Sequence, residues 1–399
     1  LSQRHAEYFL QFAATNGPRL WYKERPVWIR RFDAERENLR LALEWSFSSA
    51  AGGETGPRLT VALHPFWLVR EFQESATWFT KAVEYCQPGA ATAPALTASV
   101  LAYARYYTPA ATLALMKDGL ILSRSLGPEG SEILLEGLGT LIAVLLESER
   151  DWDQCQALLD EREALVQSLG PETTIDPRLY WASNAALRAQ LEFERGRSER
   201  ATVLGLESIR WFEACGSDFN LVWPYRLLGR IAVQTGDYDK AHCHFSEGLR
   251  LTIESDDARV GQMLAFLCDT SVLQGDLAQA LDYCQAFIKL AYEKETPLNV
   301  LERLEMAAKI LAKYGRHQEA VRLSGAAEAL SDRFGRKTSP EARPSVGGGD
   351  CTTRYADVSL EALVPDWRTR ADGEAIQLAW EAGRAMSYPE VVAHALAEL

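Results

Sequence analysis

The chain has 399 residues, with 42 basic against 55 acidic side chains and a formal net charge of −13. At 47% hydrophobic it is too apolar for a disordered chain, and 27 Gly with 16 Pro are too few for a fibrous one. Direct nucleic-acid binding is disfavoured, because phosphate neutralisation needs clustered Lys and Arg and no such block appears.

No apolar run approaches the ~20 residues that span a bilayer, so no membrane association is expected. The seven cysteines are scattered and odd in number, without a C-x-x-C pair. They read as reduced, mostly buried thiols of a cytoplasmic protein. The chain opens at Leu1 without a secretory pattern, and is expected to be part of a longer protein.

Residues 1–55 are predicted to form an N-terminal helical cap or linker. His5 to Ala13 is one amphipathic helix. A second, from Pro26, places Trp28, Phe32, Leu39, Leu43 and Phe47 on one stripe, and Pro26 suits a first helical turn.

Residues 56–332 are predicted to hold about seven helix pairs. Gly196, Gly236, Gly275 and Gly315 recur at spacings of 40, 39 and 40 residues. Five residues after each stands an alanine: Ala201, Ala241, Ala280 and Ala320. Gly caps the first helix in a left-handed conformation, and the small residue lets the second approach it. The clearest unit carries Tyr225, Leu228, Gly229 and Ala232 before Gly236, then Ala241, Phe245 and Gly248. This resembles the tetratricopeptide pattern, with a period near 40 in place of the usual ~34. Weaker copies surround Arg70–Phe72, Tyr106–Thr108 and Arg150–Trp152. Breakers at Gly127-Pro128, Gly170-Pro171 and Pro297 separate pairs. Strand alternation is almost nil. The expected fold is all-α, a right-handed superhelix of tetratricopeptide-like helix pairs.

Residues 333–352 read as a flexible loop by their Gly, Pro and Ser content. Residues 353–399 read as a C-terminal helical cap. Tyr355 to Leu363 and Glu374 to Met386 form helices there, and Ser387 is an N-cap before the last.

The opening R-H-A-E-Y-F-L and W-I-R-R-F-D-A-E-R-E-N-L-R-L-A-L-E-W resemble the segment after the ATPase module of bacterial signal-transduction ATPases of the STAND class. The closing R-L-S-G-A-A-E-A-L-S-D-R-F-G and A-W-E-A-G-R-A-M-S-Y-P-E-V-V-A-H-A-L resemble the end of the same arrays. Many such proteins are transcription regulators, some with a LuxR-type DNA-binding tail. The Gly347–Gly349 stretch departs from the pattern. The resemblance implies a sensor that binds an inducer, small molecule or protein, on its concave face and communicates with the parent's ATPase module. The competing expectation is a constitutive protein–protein interaction scaffold.

The resemblance places ATP only in that upstream module, and no cofactor is expected in this chain. Walker A is missing: Gly335-Arg336-Lys337-Thr338 lacks the spacing and the preceding strand. His242-Cys243-His244 cannot chelate from one helix face, because neighbours two apart point about 200° apart. Neither Asp256-Asp257 nor Glu302 with Glu305 forms a recognisable acid/base pair, and there is no G-x-S-x-G. No catalytic or metal site is therefore expected, and the chain is read as no enzyme.

The positions that line the concave surface of tetratricopeptide arrays fall here on Trp223, Arg226, Arg230, Gln262 and Asp269. Upstream they fall on His64, Trp67 and Tyr103. These are the candidate partner-binding residues. The alternative is that Trp223 packs against a neighbouring repeat and the arginines pair with nearby acids. Trp28, Trp45, Trp78, Trp152 and Trp380 are assigned to the core.

Overall fold

The computed structural model describes all residues except 1, 68–69, 71, 87–93, 103–108, 149–150, 170–172, 174, 256–258, 294–296, 335–363, 367–369 and 371. Tyr103, Asp256-Asp257, the Gly335–Thr338 string, most of the 333–352 loop and the helix expected from Tyr355 lie outside the described residues.

Every regular element among the described residues is helical. In the first half these are α1 (Ser2–Asn16), α2 (Arg25–Ala34), α3 (Arg36–Ser48), α4 (Thr55–Ala62), α5 (His64–Trp67), α6 (Phe72–Tyr85), α7 (Pro94–Ala102), α8 (Pro109–Ser125), α9 (Ser131–Ser148) and α10 (Trp152–Gln167). There follow α11 (Pro177–Glu194), α12 (Ser198–Cys215), α13 (Val222–Gln234), α14 (Tyr238–Glu254), α15 (Val260–Gln274), α16 (Leu277–Glu293), α17 (Pro297–Lys313), α18 (His317–Phe334), α19 (Gly373–Ala385) and α20 (Tyr388–Glu398). The chain divides into two compact units, Leu1–Ile231 with Arg250–Ala258, and Ala232–Leu249 with Arg259–Leu399. Within each unit, helices pack largely on their neighbours in chain order.

The repeat register appears in the backbone as the spacing predicts. Gly196, Gly236, Gly275 and Gly315 have φ of +77°, +79°, +84° and +76°. The next residue's N–H reaches back five residues each time: Arg197 to Glu192 O at 2.8 Å, Asp237 to Ala232 O at 2.9 Å, Asp276 to Ser271 O at 2.9 Å, and Arg316 to Leu311 O at 3.0 Å. This is the Schellman closure, which satisfies helix-end carbonyls. Ala201, Ala241, Ala280 and Ala320 are all fully buried, as close helix approach demands. Within the units the pairs are therefore α11–α12, α15–α16 and α17–α18.

In the first unit, the single helix expected from Pro26 is two helices. The chain bends at Glu35, whose N–H bonds back to Arg31 and Phe32 carbonyls at 3.2 Å. Trp28, Ile29 and Phe32 on α2 and Leu39, Ala42 and Leu43 on α3 then all reach one core. A turn of 3₁₀-helix, Gly17–Trp21, precedes α2. It leads into a segment that closes the unit over a long sequence distance. Lys23 N–H donates to Gly216 O at 3.1 Å. Ser217 Oγ donates to Trp21 O at 2.5 Å, and Asp176 N–H donates to Tyr22 Oη at 3.3 Å. The buried Arg25 guanidinium lies 3.1 Å from the Phe219 ring centre.

In the second unit, α19 crosses α18 where both carry glycine. A Cβ at Gly325 would overlap the Trp380 carbonyl, and one at Gly383 the Arg322 carbonyl. Helix α20 starts at Ser387, whose N–H donates to Glu390 Oε2 at 2.7 Å in a capping box. It docks through Gln285 Nε2 to Leu396 O at 2.8 Å and Arg316 to Glu398 at 2.9 Å. Trp28 and Trp78 are buried, while Trp45, Trp152 and Trp380 are partly buried against the core clusters.

Candidate functional site

Counting back from each repeat glycine identifies the inner positions of the first helices. Six residues before Gly236, Gly275 and Gly315 stand Arg230, Asp269 and Lys309. These are charged residues at a place where a purely packed array would need none.

In the first unit, Trp223 and Arg226 stand three residues apart on α13 and face each other, with the guanidinium 4.9 Å from the ring centre. Trp223 is 39% exposed. Arg230, one turn on, is buried, lies 4.8 Å from the Phe193 ring centre and pairs with Glu194 at 3.6 Å. Trp223 and Arg226 thus present a partly open aromatic and cationic surface, and Arg230 is committed to α11. His64 and Trp67 are interior residues. The Gly17–Trp21 turn covers this stretch, with Trp21 and His64 ring centres 6.4 Å apart and Gly17 against the Ala62 carbonyl. Trp67 packs on Phe66, with ring centres 5.5 Å apart. The repeat register could not anticipate this cover, because it comes from a non-repeat segment.

A buried polar cluster that sequence reasoning missed lies nearby in the chain. Arg162 of α10 donates to Leu135 O of α9 at 2.9 Å, to Ser183 Oγ of α11 at 3.0 Å, and to Asn184 Oδ1. Burial lowers the Arg162 pKa, with Glu136 and Tyr180 opposing. Burial raises that of Glu136, with Arg162 opposing. Gly139 leaves the room, since its Cβ would stand 3.3 Å from the guanidinium. The only sequence signal was an Arg on an otherwise amphipathic helix, which reads as surface.

Among the described residues, the second unit holds the site with the most unused hydrogen-bonding capacity. Asp269 on α15 is 1% exposed and Arg303 on α17 is 3% exposed. Among the described residues neither Asp269 oxygen has a hydrogen-bond partner, nor do Arg303 Nε and Nη1. Arg303 Nη2 lies 3.4 Å from Glu302 Oε1, and the guanidinium is 5.1 Å from the Phe287 ring centre. Burial pushes the Asp269 pKa up to about 6, and Arg303 only partly opposes this. Burial also works against the Arg303 charge, but Asp269 and Glu302 outweigh it and hold the guanidinium protonated. Unsatisfied buried donors and acceptors cost about 1–3 kcal/mol each. The sequence placed Asp269 on the inner face. It did not single out Arg303.

His242 Nε2 and Tyr283 Oη are 2.9 Å apart. An open groove of about 320 Å³ lies at Gly236–Asp239, Leu273 and Gln274, where Asp237 pairs with Lys240 and Asp239 accepts from Gln274. Among the described residues no three potential metal ligands cluster, and no helix is long and apolar enough to cross a membrane.

No family model matches the sequence, and no curated protein matches it either. Solved structures do. BtubC (BKLC) from P. vanneervenii matches with a TM-score of 0.50 at 17% identity, over 60% of this chain and 96% of its own. A STAND protein with a tetratricopeptide repeat sensor from Pyrococcus horikoshii matches with a TM-score of 0.53 at 13% identity, over 92% of this chain. This chain spans 54% of that protein's length. A Rap protein complexed with competence and sporulation factor matches more loosely, with a TM-score of 0.40 at 12% identity, over 81% of this chain and 77% of its own. The consecutive helix pairs and the likeness to the STAND protein with a tetratricopeptide repeat sensor make the chain an all-α helical repeat of the tetratricopeptide-like kind.

Proposed function

We propose that the chain is the sensing portion of a STAND-type ATPase or transcriptional regulator of the bacterial cytoplasm, and that its array binds an inducer or a partner protein. The observation that carries this reading is the Asp269–Arg303 pair. These residues stand on consecutive first helices, and the described residues leave both Asp269 oxygens and Arg303 Nε and Nη1 unused. The likeness over 92% of the chain to a STAND protein with a tetratricopeptide sensor supports the class. The exposed Trp223 with Arg226 is a second contact surface of the same use.

In this reading the array does no chemistry and holds no cofactor. ATP belongs to an ATPase module with which the array communicates, and a LuxR-type output is the DNA-binding element. An inducer switches such a protein only by binding one conformational state better than the other.

A thermal-shift screen of the purified chain against cell-extract fractions divided by molecular size tests the proposal. A ligand at a hundredfold excess over its dissociation constant adds about 2.7 kcal/mol. The expected result is stabilisation by the small-molecule fraction that disappears in Asp269→Ala. Stabilisation by the macromolecular fraction alone turns the reading into a constitutive scaffold, and stabilisation by neither overturns it.

A further inference from the structure

Cys268 on α15 and Cys284 on α16 face each other across the helix pair with their Sγ atoms 3.3 Å apart. Both are fully buried free thiols. A disulfide needs about 2.05 Å between the sulphurs, so only a small approach separates the pair from a bond. The repeat does not require sulphur here. At the corresponding places the preceding pair has Gly229 and Phe245, and the following one Ala308 and Ser324. Cys268 is also the chain neighbour of Asp269.

We propose that Cys268 and Cys284 are a modification site. A hydroperoxide converts them to a disulfide, and the bond locks the α15–α16 pair that carries Asp269. The inference is independent of the sensor reading. In the closed pair the Cys284 thiol and burial push the Cys268 thiol well above its ordinary value, so the folded Cys268 thiol stays protonated and unreactive. Reaction therefore follows local opening of the pair, whose linking turn at Gly275 and Asp276 is exposed. One thiol loses its proton to water, and its sulphur attacks the peroxide. An S–O bond forms, the O–O bond breaks, and hydroxide leaves and is protonated. The second sulphur then attacks the sulfenic sulphur. The S–S bond forms, the S–O bond breaks, and the second thiol's proton leaves with the departing hydroxide as water. Two thiols and one hydrogen peroxide give one disulfide and two waters. The bond closes a loop over a separation of 16 residues and removes the open states of the pair.

The test uses the full chain and hydrogen peroxide. After quenching, exposed thiols are alkylated under native conditions. The chain is then denatured, the remaining thiols take a heavy-isotope alkylating label, and the digest is read by mass spectrometry without reductant. The exposed Cys243 serves as internal gauge of the peroxide dose. The expected result is a linked peptide pair containing Cys268 and Cys284, two hydrogens lighter than the thiols and absent after reduction. At least tenfold slower amide hydrogen exchange across α15 and α16 should accompany it. Cys268→Ala and Cys284→Ser, the residues of the following repeat, should each abolish the linked pair while leaving the helical circular dichroism unchanged. Full heavy labelling of both cysteines at a dose that oxidises Cys243 overturns the site. A linked pair with unchanged exchange overturns the lock.

Discussion

The Asp269 carboxylate ties a single residue to the stability of its unit. Its pKa is pushed up to about 6 from an ordinary 3.8, so between these values the folded chain binds more protons than the unfolded one. Stability from this group is therefore fully present below the ordinary value and is lost as pH rises through the folded one. At about 1.36 kcal/mol per unit the full loss is roughly 3 kcal/mol. Urea denaturation of the wild type should show this descent between pH 4 and pH 6.5, and Asp269→Asn should lack it. Identical slopes in the two proteins would refute a buried, titrating Asp269. The residue was legible in the sequence because the repeat glycines act as a ruler. Arg303 was not, because it occupies a different place in the register from Asp269 and its burial follows from Phe287 on a neighbouring helix.

At the scale of elements, two kinds of glycine differ in cost. Gly275 has φ +84° with nothing within 4 Å of an added Cβ, so Gly275→Ala pays only for the left-handed backbone, about 1–2 kcal/mol. Gly383 has no such backbone, but its Cβ would overlap the Arg322 carbonyl, so Gly383→Ala must push α19 off α18. Overpacking of this kind costs about 1–3 kcal/mol or more. Both variants should lower the urea midpoint. Only Gly383→Ala should also speed hydrogen exchange in α19 and α20, since the other strain is confined to a turn. The turn glycines were visible as a period. Gly325 and Gly383 were not, because their role is set by a crossing between helices separated by residues 335–372. The bend at Glu35 was missed for a similar reason: one amphipathic stripe describes a straight helix and a bent pair equally well.

On the scale of a whole unit, residues 17–25 decide how the first one is closed. Arg25 is buried against Phe219, and its Nη1 donates to Leu20 O at 3.0 Å. A desolvated cation–π contact is worth about 2 kcal/mol. Arg25→Ala should destabilise the chain by at least that amount and accelerate hydrogen exchange at Lys23, whose N–H is held by Gly216 O. Unchanged exchange at Lys23 would mean that the clasp is held without the arginine. The same closure explains His64 and Trp67. Their register positions are those of groove residues, yet a segment outside the repeat lies over them.

The all-helical class, the pairing of helices, the turn geometry at Gly196, Gly236, Gly275 and Gly315, and the buried alanines after them follow from local sequence. They depend on backbone conformation and on contacts within one helix pair, which spacing alone encodes. The exposure of Trp223, the burial of Arg25, Arg162 and Arg303 and the unsatisfied Asp269 depend on which helices meet. These contacts join residues of different helix pairs and of segments outside the repeat, up to almost 200 positions apart, as in Ser217 with Trp21. Such distances lie outside any local period, and only the packed chain brings their side chains together.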